Sequence, residues 1–341
     1  MMKFLAMALA PIMLAGCVTE NAKQTSDTNA AEAAADQAQT AETTAQMEAL
    51  ELARTVPTMS AQAVKEGYVR NASLAQLYRW YQFYENDDAV LANQLDILAT
   101  DVSVISGLGE ANGHDEYSAR VTQIPSEWDN AHIVKSTDIT TNDDGSISMI
   151  VNITYLNQGL MEDGTVRMAD LTYDAVLEAT DSLLPVFANI SIGQNEVGTA
   201  NEFVSEYEAN RLKSVLHYWL AIIEDPKRDA APVREILAED FVLNFSSGPI
   251  TSYEGYEAWL KGPGSQVSAS THSVTDFDFE QLGEGIYRMN ATLDWQGILP
   301  NGNEMVARTR HTWTVEDDPS ERFARIKTVD VDLLVPFSAK P

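Results

Sequence analysis

Two long stretches of the chain alternate apolar and polar residues with a period of two, which is the pattern of a strand that buries one face. In the first stretch, the apolar face consists of Ile147, Met149, Val151, Ile153 and Tyr155. In the second, it consists of Tyr287, Met289, Ala291, Leu293 and Trp295. A Gly-containing turn and a returning stretch of the same period follow each of them, at Asp163-Gly164 and Asn301-Gly302. The pattern therefore predicts two hairpins of long antiparallel strands.

A helical stretch rich in aromatic residues precedes each predicted hairpin, at residues 74–86 and 211–225. A short amphipathic stretch follows each, at residues 95–102 and 234–241, and we interpret it as a second helix. A sheet with one apolar face needs a cover, and these helices can supply it.

The two halves of the chain repeat one another at a nearly constant offset. Leu98, Ala99 and Asp101 recur 139 residues later as Leu237, Ala238 and Asp240. The second repeated set recurs 140 residues later: His132, Val134 and Asp138 return as His272, Val274 and Asp278. A repeat that keeps both order and spacing indicates a duplicated domain.

This order of helices and strands resembles the nuclear transport factor 2-like cone, in particular its polyketide-cyclase-like (SnoaL-like) branch. The resemblance depends on the aromatic first helix, the Leu-Ala-x-Asp sequence, the repeated His and the Trp-Gln-Gly to Asn-Gly hairpin of the second half. It implies an α+β chain of two cone-shaped domains, each with N-terminal helices packed on a curved antiparallel sheet. We place these domains at residues 71–192 and 203–337, with a linker at 193–202.

The N-terminus has the features of an export signal. Lys3 precedes an apolar run at residues 4–14 that is too short to span a bilayer. Leu14-Ala15-Gly16-Cys17 is similar to the lipobox of bacterial lipoproteins. We therefore predict a signal peptide at 1–16 and a lipid-modified Cys17 at the start of a disordered tether at 17–70. The expected location is the bacterial cell envelope, at the periplasmic face of the outer membrane.

Composition excludes several classes of function. The formal net charge of −29 disfavours binding to nucleic acid. Cys17 is the single cysteine, so a disulfide within the chain is impossible. The sequence has no phosphate-binding glycine loop, dinucleotide fingerprint or Gly-x-Ser-x-Gly elbow. We predict no metal and no cofactor.

The family resemblance implies a pocket between helices and sheet, where some members transfer protons with an Asp–His or Asp–Tyr pair. The candidates for such a role here are His311, His272, His132 and Tyr173, the last because it matches His311 in the repeat. None of them is assigned as catalytic. The residues predicted to line a pocket are Trp80, Tyr84, Tyr155, Tyr173, Tyr218, Trp295, His311 and Trp313.

The repeated His and Asp lie six residues apart, a span of about 20 Å in an extended strand. His132 and Asp138 therefore cannot meet within one copy, and the same holds for His272 and Asp278. We expect each His to bond to a loop backbone and each Asp to face solvent.

Three hypotheses for function remain open from the sequence. In the first, a membrane-anchored lipoprotein binds a small, partly apolar ligand or a protein partner through its cones. The second is an enzyme of the isomerase or dehydratase type that uses a pocket His, and the third is a structural envelope protein. The expected partners are the membrane, through Cys17, and a small apolar ligand; the domains could also pair within one chain or between two chains.

Overall fold

A computed structural model describes residues 47–341. The predicted signal peptide, Cys17 and the first 30 residues of the predicted tether lie outside the described residues. Within the described part of the chain, no helix is long and apolar enough to cross a membrane.

The first domain is built from one long helix, several short ones and a six-stranded sheet. Its helices are α1 (Ala61–Lys65), α2 (Gly67–Tyr84), α3 (Leu91–Leu95) and α4 (Gly113–Val121). Its strands are β1 (Leu98–Ser106), β2 (Gly109–Asn112), β3 (Asp129–Thr141), β4 (Ile147–Gln158), β5 (Val166–Glu178) and β6 (Val186–Ala200). The strand order is β2-β1-β6-β5-β4-β3, and β1 runs parallel to β6 while the other neighbours are antiparallel.

The second domain repeats this order. Its helices are α5 (Tyr207–Glu224) and α6 (Tyr253–Lys261), with 3-10 turns at Ala231–Glu235 and Pro263–Ser265. Its strands are β7 (Leu237–Phe245), β8 (Gly248–Ile250), β9 (Ala269–Gly283), β10 (Ile286–Ile298), β11 (Glu304–Glu316) and β12 (Arg325–Ala339). The sheet order is β8-β7-β12-β11-β10-β9, with β7 parallel to β12.

The predicted hairpins and their buried faces are confirmed. All five predicted face residues of β4 and of β10 are buried or half-buried. Irregularities in the pairing, such as that between Val134 and Ser136 in β3 and that between Asp170 and Leu171 in β5, interrupt the strands. Because such bulges bend strands and increase their twist, they help each sheet to curve around the helices that cover it. Each half is thus the cone-shaped α+β unit that was predicted.

The predicted second helix of each half is wrong over most of its length. Helix α3 ends at Leu95, and Leu98 already begins β1; in the second half, β7 begins at Leu237. Leu98 and Val102 point into the core, while β1 pairs with β6. Pairing at the sheet therefore overrides a local pattern that is compatible with either element.

The domain boundaries differ from those predicted in two places. Ala53 and Val56, placed in the tether by the sequence, are buried against Val306 and Val335 of the second domain. Helix α2 also begins before residue 71. The predicted linker at 193–202 is mostly the end of β6, which pairs with β5 as far as Ala200.

Helices α2 and α5 pack against each other in antiparallel fashion and join the two domains. At the centre, Ser214 Oγ donates to the carbonyl of Ala75 at 3.0 Å. Tyr78 and His217, which are equivalent in the repeat, stack on each other with ring centroids 5.6 Å apart. Residues 71–81 of α2 are buried throughout, because one side of the helix lies on its own sheet and the other on α5.

Ion pairs close one edge of this contact. Arg322 of the second domain reaches Asp96 of the first at 2.7 Å and Glu235 at 2.9 Å. Arg79, itself buried, contacts the same Asp96 at 3.1 Å and lies over the Phe323 ring. The shared carboxylate of Asp96 therefore connects an arginine of each domain.

Replacing His217 by Gln should make the free energy of unfolding less dependent on pH. Burial, and then the positive charges of Arg70 and Lys213, lower the pKa of His217 to about 3. The unfolded histidine titrates near pH 6.5, so its stabilising effect is complete above that pH and is lost as the pH falls toward 3. In urea titrations, we expect wild type to lose about 2–3 kcal/mol more than His217→Gln between pH 6.5 and 4.5. Parallel curves would contradict this assignment.

Candidate functional site

A cavity of about 340 Å³ lies inside the first domain. Its walls come from α2, the β1–β2 turn, the segment before β3, and strands β3 to β6. Five aromatic side chains line it: Trp80, Tyr84, Trp128, Tyr155 and Tyr173. A concave, largely apolar cavity of this volume falls in the range of sites that hold small molecules.

We place the mouth of the cavity between the β1–β2 turn and the β4–β5 hairpin, because the apolar lining residues of these two segments are exposed. Leu108 in the turn and Leu160 in the hairpin both line the cavity and are 45% and 37% exposed. Arg167, near the start of β5, lines it beside the hairpin. A ligand that enters between these segments would therefore pass Leu108 and Leu160 before it reaches the aromatic side chains inside.

His132 on β3 and Glu85 at the end of α2 form a buried pair at the cavity wall. His132 Nδ1 lies 2.9 Å from Glu85 Oε1, and the backbone N–H of His132 donates to the same oxygen at 2.7 Å. The His132 ring stacks on Tyr81, with centroids 4.7 Å apart and planes 13° from parallel. His132 also lines the cavity.

The second domain completes this pair. Asn210 on α5 donates through Nδ2 to both oxygens of Glu85, at 3.0 and 2.9 Å, and to the carbonyl of His132. The Glu85 side chain is fully buried, and such a carboxylate is tolerated only when donors surround it. Glu85 is therefore held in place by both domains.

The same network recurs with the domains exchanged. His272 Nδ1 lies 2.9 Å from Glu224 Oε1 at the end of α5, and Asn71 on α2 donates to Glu224 Oε2 at 2.9 Å. Glu224, His272 and Asn71 are the repeat equivalents of Glu85, His132 and Asn210. The contact between the domains is thus reciprocal.

The geometry determines how His132 can act. An ionised carboxylate only accepts hydrogen bonds, so Nδ1 of His132 carries the proton that it donates to Glu85. In the neutral ring, Nε2 then has the free lone pair, and this nitrogen is available to a molecule in the cavity. A histidine oriented in this way can accept a proton or a hydrogen bond.

The tyrosines of the cavity are suited to donate hydrogen bonds rather than to act as bases. Burial raises the pKa of Tyr173 above its usual range, and it does the same for Tyr84 and Tyr155. Tyr84 is engaged with Tyr117 at 2.6 Å, and Tyr155 donates to Asn130 at 2.6 Å. Tyr173 therefore is the tyrosine best placed to donate to a ligand.

Four of the predicted pocket residues surround this cavity, namely Trp80, Tyr84, Tyr155 and Tyr173. The other four lie in the second domain and do not line it: Tyr218, Trp295, His311 and Trp313. Tyr218 stacks on Phe323 at 4.6 Å, and Trp295 packs edge-on against Phe337 at 4.9 Å.

His311 is poorly suited to proton transfer. It is buried, and its Nδ1 accepts a hydrogen bond from Trp313 Nε1 at 3.4 Å. Burial, and then the charge of His272, lower its pKa to about 3. Near neutral pH, His311 is an uncharged packing residue.

Aromatic side chains fill the interior of the second cone. A chain of ring contacts runs from Trp313 to Trp219 at 5.8 Å, then to Tyr256 at 5.6 Å. Phe245 and Trp259 continue it with centroids 4.7 Å apart. In the repeat, Trp313 and Phe245 correspond to Ala175 and Ser106 of the first domain. Ser106 lines the cavity of the first cone, so the small residue at this position leaves room that Phe245 occupies in the second.

The sequence patterns did not indicate the carboxylate partner of either histidine. The repeated His bonds to a Glu side chain, so the expected bond to a loop backbone is wrong. Asp138 and Asp278 are exposed, as expected. The available signal was Glu85 and Glu224, which end both aromatic helices at an offset of 139.

No cluster of three or more His, Cys, Asp or Glu side chains capable of holding a metal is found among residues 47–341.

Comparison with known proteins gives structural matches of one-domain length. A hexachlorocyclohexane dehydrochlorinase from Novosphingobium barchaimii matches with a TM-score of 0.34 at 12% identity, over 39% of this chain and 89% of its own. ActVI-ORFA from Streptomyces coelicolor matches with a TM-score of 0.32 at 13% identity, over 37% of this chain and 97% of its own. An uncharacterised protein with a cystatin-like fold from Caulobacter vibrioides matches with a TM-score of 0.30 at 14% identity, over 38% of this chain and 90% of its own. The sequence matches no family model and no curated protein.

The order of elements in each half, helices followed by a six-stranded mixed sheet that curves around them, is that of the nuclear transport factor 2-like cone. The chain therefore carries two domains of this α+β cone fold in tandem.

Replacing Trp313 by Ala should strongly destabilise the second domain. Trp313 is fully buried, and deletion of a large core side chain costs about 3–5 kcal/mol through lost burial and the cavity that remains. Trp295→Ala is the matched control, because Trp295 is only half-buried. Urea unfolding should show a clearly smaller loss for the control; equal losses would mean that the second cone is not tightly filled.

Proposed function

We propose that the first domain binds a small, partly apolar molecule in its cavity, and that the second domain supports it. The observation that carries this proposal is the cavity of about 340 Å³ in the first cone, which five aromatic rings line. Apolar walls supply binding energy by removing the ligand from water, while His132 and Tyr173 can orient it by hydrogen bonds.

Filling the cavity should abolish binding. Leu171 lines the cavity on β5 and is half-buried, so Leu171→Trp places a ring inside it. The probe is N-phenylnaphthylamine, a neutral fluorophore whose emission rises in apolar surroundings. We expect Leu171→Trp to weaken probe binding by about tenfold or more, a loss of at least 1.4 kcal/mol.

The control is Ile150→Trp, which adds the same ring to an exposed position on the neighbouring strand β4. It should bind the probe as wild type does. If wild type does not bind the probe, or if both variants weaken binding equally, the cavity is not a binding site.

A second candidate function is proton transfer to or from the bound molecule, with His132 as the base. The observation that favours it is the pairing of Nδ1 with the buried Glu85 carboxylate, which leaves Nε2 for the ligand. Carboxylate–histidine pairs of this type orient the ring and stabilise the imidazolium that forms. The second domain has the equivalent pair, His272 and Glu224, at the contact between the domains. The His–Glu pair therefore also has a structural role, and a test must separate this role from proton transfer.

Base-promoted opening of nitrobenzisoxazole, a small neutral aromatic compound that reacts by loss of one C–H proton, provides this test. We expect the full chain to accelerate the reaction and His132→Gln to lose that acceleration by about 100-fold, the usual contribution of a positioned base. His272→Gln is the matched control, because it breaks the equivalent Glu224 pair outside the cavity. Equal rates for both variants would leave the His132–Glu85 pair as a purely structural feature.

We also propose that Cys17 anchors the protein in the bacterial cell envelope. The lipobox-like Leu14 to Cys17 segment supports this proposal, and a multiply acylated cysteine would hold a chain stably on a membrane. Wild type expressed in a lipoprotein-processing host should sediment with membranes, whereas Cys17→Ser should not. Identical partition of both forms would rule the anchor out.

A further inference from the structure

The cavity of the first domain is positively charged in a strongly acidic chain. Among the described residues that line it, Arg167 is the one Arg or Lys, and Asp and Glu are absent. The chain as a whole has a formal charge of −29. The Glu85 carboxylate, which bonds to His132, does not line the cavity and accepts four hydrogen bonds.

Arg167 is held in place while its charge remains available. Its Nη2 donates to Gln194 Oε1, and its guanidinium lies 5.9 Å from the centre of the Tyr155 ring. Both contacts are with neutral groups. Half-buried arginines elsewhere in the chain, such as Arg308 and Arg325, instead pair with carboxylates at 2.6 Å. The remaining N–H groups of Arg167 can therefore bind an anion.

Arg167 and His132 are close enough to act on one molecule. The Tyr155 ring lies beside both, since its centre is 5.3 Å from that of the His132 ring and 5.9 Å from the Arg167 guanidinium. A ligand with an aromatic or similar apolar body reaches from the interior to the mouth, where Arg167 lies near the hairpin. The acidic group of such a ligand would face Arg167.

The second domain lacks this cation. In the repeat, Met305 is equivalent to Arg167, and Leu333 is equivalent to Gln194. The guanidinium and its amide partner therefore occur only in the copy that has the aromatic-lined cavity. A role limited to packing of the sheet would not require the charge in one copy and an apolar residue in the other.

We propose that the cavity selects small apolar molecules with one anionic group, such as an aromatic carboxylate, and that Arg167 binds this group. The proposal rests on the proposed function, since it names the class of ligand for the same cavity. A planar guanidinium suits a carboxylate because the two can form paired, charge-assisted hydrogen bonds.

The experiment is displacement of N-phenylnaphthylamine from the full chain by naphthoate and by naphthalenemethanol, which share an apolar body and differ in charge. We expect naphthoate to displace the probe from wild type at a concentration about tenfold or more lower than naphthalenemethanol. Arg167→Met places the residue of the second domain at this position. It should weaken the binding of naphthoate by about 10- to 100-fold and leave the binding of naphthalenemethanol unchanged. Arg167→Lys should keep part of the preference, since it keeps the charge.

Arg234→Met is the control for loss of one positive charge, because Arg234 also lies over a tyrosine ring, that of Tyr253 at 4.2 Å, but in the second domain. It should keep the preference for naphthoate. Equal displacement by both compounds from wild type would overturn this inference and leave cavity binding intact. The inference would also be overturned if Arg167→Met weakened the binding of both compounds equally. Failure of the probe to bind wild type would refute the proposed function itself.

Discussion

Two buried carboxylates, Glu85 and Glu224, organise the contact between the domains. Neither side chain is accessible to solvent, and a buried charge is strongly destabilising unless donors compensate for the lost water. Each carboxylate receives its histidine from its own domain and its asparagine from the other. The contact between the domains therefore completes the hydrogen bonding of both carboxylates.

The candidate site depends on the same contact. Glu85 determines which nitrogen of His132 faces the cavity, and Asn210 of the second domain holds both oxygens of Glu85. The second domain thus contributes to a site that lies wholly within the walls of the first. The two copies differ within this shared arrangement: Phe245 packs against Trp219 in the second cone, whereas its equivalent Ser106 lines the cavity of the first. A small difference in side-chain volume separates a packed core from an open cavity, because protein interiors are otherwise closely packed.

Sequence patterns predicted the parts of the fold that depend on local periodicity. Strands β4 and β10 could be recognised because every second residue is apolar. The short stretch at residues 95–102 could not be assigned correctly, since a few apolar residues fit either a helix turn or a strand, and pairing with β6 decides between them. The aromatic cavity residues Trp80, Tyr84, Tyr155 and Tyr173 could be chosen from their faces, but the four chosen in the second domain could not be distinguished from them by pattern alone.

The sequence by itself determined that the chain is a duplication, because an offset of 139 to 140 relates matching residues between positions 98 and 138 to those between 237 and 278 in the same order. It also identified the repeated histidine. Only the tertiary structure decided what that histidine contacts, since His132 meets Glu85 across 47 residues of chain and Asn210 across 78. Periodicity reports which face of an element is buried, whereas partners distant in sequence are set by how helices α2 and α5 cross and how each sheet curves. For that reason, the duplicated fold could be predicted from the sequence, while the open cavity and the network shared between the domains could not.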